Sequence, residues 1–219
     1  MCAEGVPEPV ELPTDRVDVF TLREMEYGPN TALIVVDVQN DFASPTGSLS
    51  VPGGEDVIGF INREIAEAVG QGAHIVYTQD WHPESTPHFE KDGGIWPVHC
   101  VGGTLGAELH PDLTVVEDAI RIRKGGGGED GYSAFNIRDP ETGAEASTGL
   151  AAELEGRDVE RVAVAGLALD YCVKETALDA AAAGFETVLL ADGTRPVNLS
   201  VGDGARAVAL LVGAGVVVE

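Results

Sequence analysis

Cysteine is scarce in this sequence, and no long apolar segment runs through it. The 219 residues include three cysteines and no CxxC pair, which argues against a disulfide framework and against a cysteine-rich zinc module. The most apolar stretches are interrupted by glycine or charge before they could cross a bilayer. The N-terminus has no basic region followed by an apolar stretch, as a secretion signal would. We therefore expect reduced thiols, a cytoplasmic location and no membrane partner.

Positive charge is equally scarce. The chain carries 13 basic against 37 acidic side chains, a formal net charge of −24, and only three of the basic residues are lysines. Such a surface repels phosphate backbones and anionic lipids, so nucleic acid is not an expected partner. A small-molecule substrate is expected instead, and the sequence leaves the oligomeric state open, with a homo-oligomer allowed.

The charge imbalance also predicts a salt requirement. Repulsion among acidic side chains weakens a fold most at low ionic strength, where the charges are unscreened. We expect the melting temperature to rise as KCl is raised from low to molar concentration, which would suit a host cytoplasm of high salt. A melting temperature that stays flat or falls over that range would contradict this expectation.

Strand-like and helix-like segments alternate from Thr31 onward. Residues 1–30 hold four prolines and no sustained period, so they are predicted to form an irregular N-terminal arm, and residues 31–219 a single α/β domain. Strands are predicted at 32–37, 74–78, 119–123, 161–167, 187–191 and 216–218, with helices at 55–69, 148–154, 170–183 and 204–212. This alternation predicts a mainly parallel sheet with helices on both faces, a three-layer αβα domain.

Reactive side chains stand at the carboxyl ends of several predicted strands, where ligands bind in parallel sheets. They are Asp37, Asp80, Lys124 and Cys172. Cys172 comes two residues after Asp170, a candidate helix N-cap, and a thiol in the first helical turn has a lowered pKa and becomes nucleophilic. The alternative is an inert buried cysteine in an alanine-rich helix.

The other two charged groups also allow two interpretations. Asp37 ends an apolar strand, where a carboxylate needs a cation or a catalytic role to compensate its burial. Lys124 could be that cation. The alternatives are a turn-forming aspartate and a solvated surface lysine.

Histidines cluster near Asp80. His82, His88 and His99 follow it within twenty residues, and one carboxylate with two or three imidazoles suits Zn²⁺, with Fe²⁺ or Mn²⁺ as alternatives. Hydrogen-bonded loop histidines are the other interpretation.

Aromatic side chains share the same segments. Trp81, Phe89 and Trp96 lie near the histidines, and Phe42 follows the first strand. They could stack on a flat ring substrate, or fill the core.

Seven segments of the chain together resemble a known family. They are VDVQNDF at 36–42, QDWHP at 79–83, HF at 88–89, WPVHCV at 96–101, RKG at 123–125, YSAF at 132–135 and GLALDYCV at 166–173. In this order they resemble the nicotinamidase (pyrazinamidase) branch of the isochorismatase-like cysteine hydrolases, from about Thr31 to the C-terminus.

The resemblance implies a role for each position. Asp37, Lys124 and Cys172 would form the catalytic triad. The metal ligands would be Asp80, His82 and His99, with His88 matching a histidine that ligates in only some members. Phe42 and Trp96 would sandwich the ring, with Tyr132 and Leu167 as further substrate contacts. The Leu167–Ala168 bond would be cis, with the amides of Ala168 and Cys172 as the oxyanion hole.

The implied activity is hydrolysis of nicotinamide to nicotinate and ammonia, in NAD salvage, through a Cys172 thioester. The metal would orient the pyridine ring. Two rival functions remain open: a related hydrolase acting on another small amide, and a non-catalytic ligand-binding member.

Overall fold

A six-stranded sheet forms the centre of the protein. The computed structural model describes residues 25–129, 131–139 and 142–219. The strands are β1 (Thr31–Val36), β2 (His74–Asp80), β3 (Ile120–Lys124), β4 (Asn136–Arg138), β5 (Glu145–Ser147), β6 (Arg161–Leu167), β7 (Glu186–Arg195) and β8 (Val217–Val218). The main sheet has the order β3-β2-β1-β6-β7-β8 with all its pairs parallel, and β4 and β5 form a separate antiparallel pair.

Helices cover both faces of this sheet. They are α1 (Asn40–Ala43), α2 (Ile58–Gly70), α3 (Leu150–Glu155), α4 (Lys174–Ala182) and α5 (Asp203–Gly213). Short 3-10 turns lie at Glu55–Val57, Glu90–Asp92 and Leu105–Ala107, and Leu169–Val173 forms a π-helical turn. None of the helices in the described ranges is long and apolar enough to cross a membrane.

The alternation of side chains along β1 explains the three layers. All six β1 residues are buried, and successive side chains of a strand point to opposite faces. Leu33 and Val35 pack with the buried face of α2, whereas Ile34 packs with buried residues of α3, α4 and α5. A strand buried on both faces is typical of a parallel sheet between helical layers, and the predicted fold class is confirmed.

Several element boundaries differ from the prediction. The helix predicted at 170–183 is wrong at its start, because the regular helix begins only at Lys174. The β4–β5 pair was not predicted, since its strands have three residues each and mostly exposed side chains. Residues 1–24 of the predicted arm lie outside the described residues. Within residues 25–30, Met25 and Tyr27 pack against the core on the α2 face.

Candidate active site

One buried lysine joins the ends of three strands. The parallel register of β2 and β3 sets Asp80 opposite Lys124, and Asp37 directly follows β1. The Lys124 ammonium is fully buried and donates to Asp37 Oδ2 at 2.7 Å and to Asp80 Oδ1. It also donates to the Gly131 carbonyl at 2.6 Å and lies 3.7 Å from Cys172 Sγ. The strand topology therefore brings the four predicted reactive groups together.

The two carboxylates share one cation but differ in proton affinity. Burial raises the pKa of Asp37 to about 6, in spite of the neighbouring Lys124. Burial also acts to raise the pKa of Asp80, but Lys124 and the imidazole of His82 outweigh it and hold that pKa well below its usual range. Burial alone would lower the pKa of Lys124, but both carboxylates outweigh it and hold the pKa well above its usual value. The site thus pairs Asp80, whose carboxylate stays ionised, with Asp37, whose pKa lies closer to neutrality.

The backbone around Cys172 differs from the predicted helix start. The π-helical turn that holds Cys172 contains a non-helical residue, Tyr171, with φ −127° and ψ −105°. Asp170 does not cap a helix; its carboxylate accepts hydrogen bonds from the backbone N–H groups of Val197 at 2.9 Å and Asn198 at 2.8 Å. The prediction that a helix terminus lowers the thiol pKa is wrong. Burial raises the pKa of Cys172 well above its usual value, and Lys124 opposes that rise.

Thr78 fixes the carboxylate of Asp37, and the sequence reasoning missed it. Its hydroxyl donates to Asp37 Oδ1 at 2.6 Å. Its hydroxyl oxygen also accepts from the Asp37 backbone N–H at 3.1 Å. Thr78 precedes Asp80 by two residues on β2, so both side chains lie on one face of the strand. That spacing is the signal that could have identified it.

A second cluster beside these groups suits a divalent ion. One potential ligand atom from each of Asp80, His82 and His99 lies within 4.8 Å of the others, and all three residues are buried. His99 Nδ1 lies 2.7 Å from the Pro97 carbonyl, which can only accept, so the proton is on Nδ1 and Nε2 keeps its lone pair. His82 Nδ1 is buried without a hydrogen-bond partner among the described residues. Burial lowers the pKa of His99, which favours the neutral, metal-binding imidazole.

His88 lies outside this cluster. Its Nε2 is 3.1 Å from the Glu129 carbonyl, and its ring centroid is 5.6 Å from that of His82. His88 lines the same pocket as the three potential ligands, and its predicted role as an occasional ligand stays a prediction.

The thiol and the potential metal ligands open into one pocket of about 520 Å³, part of it open to solvent. Phe42, Trp96, Tyr132, Ala168 and Cys172 line it, as predicted. The Trp96 indole N–H donates to the Tyr132 hydroxyl at 3.1 Å.

Tyr171 also lines the pocket and was missed by the sequence reasoning. Its ring meets that of Trp96 edge to face, with centroids 5.0 Å apart. Its position next to Cys172 was the available signal. Leu49, Val51 and Val197 complete the apolar lining and were also missed.

Leu167 does not line the pocket, in contrast to its predicted role as a substrate contact. The Leu167 side chain is fully buried in the core, away from the pocket lining, because it points from the end of β6 into the α2 layer. The Leu167–Ala168 peptide bond is cis, as predicted.

Two aromatic side chains near the histidines fill the core. Phe89 is fully buried and packs edge-on against His82 and His99. Trp81 packs against the core and under the guanidinium of Arg123. Core filling is therefore the correct interpretation of both rings.

This is an α/β protein with a cysteine-centred site. Its domain has three layers, and the ends of its parallel strands bring a thiol, a carboxylate and an ammonium together. Residues 31–207 match the isochorismatase domain family. The chain belongs to the isochorismatase family, in its nicotinamidase/pyrazinamidase branch.

Individual relatives support this assignment over most of the chain. The nicotinamidase of Acinetobacter baylyi is 38% identical over 193 residues, 80% of this chain and 86% of that protein. The structure of Pyrococcus horikoshii pyrazinamidase in complex with zinc has a TM-score of 0.77 and 40% identity, covering 87% of this chain and 99% of that one. A protein of L. infantum in complex with nicotinate has a TM-score of 0.79 and 41% identity, covering 89% and 95% of the two chains.

Proposed function

We propose that this protein hydrolyses nicotinamide to nicotinate and ammonia, with Cys172 as the covalent nucleophile. The observation that carries the proposal is the buried Lys124 ammonium, which contacts Asp37 and Asp80 and lies 3.7 Å from the Cys172 sulfur at the wall of an aromatic pocket. The similarity to nicotinamidases supports the choice of substrate, as does the similarity to a nicotinate complex.

Asp37 acts as the base that activates the thiol. Because burial raises the pKa of Cys172, the thiol is protonated and needs a neighbouring proton acceptor. Asp37 lies within 4.8 Å of the sulfur, and a pKa of about 6 leaves its carboxylate ionised at neutral pH yet able to accept a proton. Lys124 holds the carboxylate in place and stabilises the thiolate as it forms.

The thiolate then attacks the carboxamide carbon. The backbone N–H groups of Ala168 and Cys172 serve as the oxyanion hole for the developing negative charge on the carbonyl oxygen. The carbon–nitrogen bond breaks as Asp37 returns the proton to the leaving nitrogen, so ammonia departs and a thioester remains. Water then adds to the thioester, nicotinate is released and the thiol is restored.

Asp80, His82 and His99 are the residues that would hold a divalent metal ion. Zn²⁺ is the first choice, because the set of two imidazoles and one carboxylate suits it and a related pyrazinamidase binds zinc; Fe²⁺ and Mn²⁺ remain alternatives. When bound, the ion would supply a Lewis-acid position that orients the pyridine nitrogen of the substrate. Phe42 and Trp96 would hold the two faces of the ring, and Tyr132 would hold Trp96 through its hydroxyl.

Removal of the metal tests this part of the proposal. Treatment with a chelator is expected to abolish ammonia release from nicotinamide, because the ring would lose its orienting ligand, and added Zn²⁺ is expected to restore it. Ammonia is measured in a coupled assay, with the metal content of each sample measured in parallel. Full activity in a sample that holds no metal would exclude a catalytic requirement for the ion.

We place the reaction in NAD salvage in the cytoplasm. The rival function of a non-catalytic binding protein is disfavoured because Asp37, Lys124 and Cys172 are all present and in mutual reach. A purified protein that releases ammonia from another small amide, but not from nicotinamide, would contradict the proposed substrate.

A further inference from the structure

The strand pairing between β1 and β2 ends before the strands reach the site. The regular ladder joins Val35 to Tyr77 as its last pair. Asp37 then adopts a left-handed backbone with φ +47°, and its N–H donates to the Thr78 carbonyl at 3.3 Å. Because β2 runs on to Asp80, none of the described β1 residues pairs with the backbone of Asp80, whose side chain is one of the three potential metal ligands.

The side chain of Gln39 takes the place of the missing strand. Its Oε1 accepts a hydrogen bond from the Asp80 backbone N–H at 2.8 Å. Its Nε2 donates to the Asp80 backbone carbonyl at 2.8 Å and to the Ala107 carbonyl at 2.8 Å. The amide therefore meets both backbone groups of Asp80, as a neighbouring strand would. Gln39 is fully buried, so no solvent competes for these bonds.

The backbone of Gln39 links the same residue to two further parts of the site. Its N–H donates to the Asp37 carbonyl at 2.8 Å. Its own carbonyl accepts from the N–H groups of Phe42 at 3.1 Å and Ala43 at 2.8 Å, in the first turn of α1. One residue therefore contacts the segments that carry Asp37, the pocket residue Phe42 and Asp80.

We infer that Gln39 is a positioning residue for the metal site: its amide holds the end of β2 so that the Asp80 carboxylate faces both Lys124 and the two imidazoles. This inference rests on the metal site of the proposed function. A ligand carboxylate whose backbone is free to shift loses the geometry that a metal ion requires, and partners that orient ligands are worth about 10- to 100-fold in metal affinity.

The test is the affinity of the metal-free protein for Zn²⁺ in competition with a chelator of known affinity. Gln39→Met keeps the length of the side chain but removes its donor and its acceptor. We expect its affinity for Zn²⁺ to fall by about 10- to 100-fold, and kcat to stay below wild type even at saturating Zn²⁺. Gln39→Asn, whose amide is one carbon too short to reach both groups of Asp80, is expected to lose affinity in the same direction and serves if the methionine variant does not fold.

Gln79 provides a matched control. It is nearly fully buried, and its Nε2 donates at 2.9 Å to the same Ala107 carbonyl that Gln39 contacts. Its side chain points to the opposite face of β2 from that of Asp80. Gln79→Met is therefore expected to keep the Zn²⁺ affinity within about twofold of wild type, well inside the loss expected for an orienting partner. An equal loss in the Gln39 and Gln79 variants, or no loss in Gln39→Met, would overturn the inference.

This measurement also separates the inference from the proposed activity. Zn²⁺ affinity requires no turnover. A wild-type protein that binds Zn²⁺ but releases no ammonia from nicotinamide would contradict the proposed function and leave the comparison of Gln39 with Gln79 valid. A wild-type protein that does not bind Zn²⁺ would overturn the inference, while ammonia release from nicotinamide would still decide the proposed function.

Discussion

Cys172→Ala is expected to lower kcat/KM for nicotinamide on the order of 10⁴-fold or more, as is typical when a covalent nucleophile is removed. The thiol lies at the pocket wall, 3.7 Å from the ammonium of Lys124, and no other cysteine within residues 25–129, 131–139 and 142–219 lines this pocket. Without the sulfur no thioester can form. The measurement is ammonia release by the purified variant at saturating metal, with its melting temperature compared with that of the wild type.

Cys100 is the matched control for this substitution. It is also a buried free cysteine, but it sits in the core on the α2 face, with its sulfur 3.9 Å from the Gly106 carbonyl. Cys100→Ala is expected to keep kcat/KM within several-fold of wild type. Turnover by Cys172→Ala equal to that of Cys100→Ala would rule out the covalent mechanism.

Lys124→Met is expected to cost about 3–5 kcal/mol of stability, because it leaves two buried carboxylates without their cation. Both Asp37 and Asp80 contact the ammonium, and the lysine is fully buried. Activity is expected to be lost as well, since Asp37 would no longer be held ionised beside the thiol. The free energy of unfolding is measured in urea, with the slope checked for constancy.

Lys174, near the surface, provides the matched control for the loss of stability expected in Lys124→Met. Lys174 pairs with Glu175 at 2.9 Å near the surface, and such pairs contribute about 0–1 kcal/mol. Lys174→Met is therefore expected to shift the free energy of unfolding by no more than that. If Lys124→Met and Lys174→Met had the same small effect, the buried ammonium would not be needed to balance the two carboxylates.

The sequence was sufficient to predict the sheet and the edge that carries the site. Parallel strands expose their carboxyl ends at one edge, so the positions of Asp37, Asp80 and Lys124 after apolar segments already placed them near one another. The alternation of strands and helices predicted that these side chains share one edge of the sheet. It did not predict which of them are in contact.

The contacts that depend on distant parts of the chain could not be predicted in this way. The turn around Cys172 is shaped where Asp170 binds the backbone 27 and 28 residues further on, while the alanine-rich segment itself reads as one continuous helix. The direction of the thiol pKa was missed for the same reason, because burial is a property of the assembled fold. The bond of Gln39 to Asp80 and the bond of Thr78 to Asp37 likewise span 41 residues each.

The bridge made by Asp170 also supports one wall of the pocket. The same carboxylate connects the turn that carries Tyr171 and Cys172 to the segment that carries Val197. These three pocket-lining residues therefore share one point of attachment. The rings of Trp96 and Tyr132 lie against that of Tyr171, with centroids 5.0 and 5.9 Å away, so the aromatic wall of the pocket depends on the same carboxylate for its support.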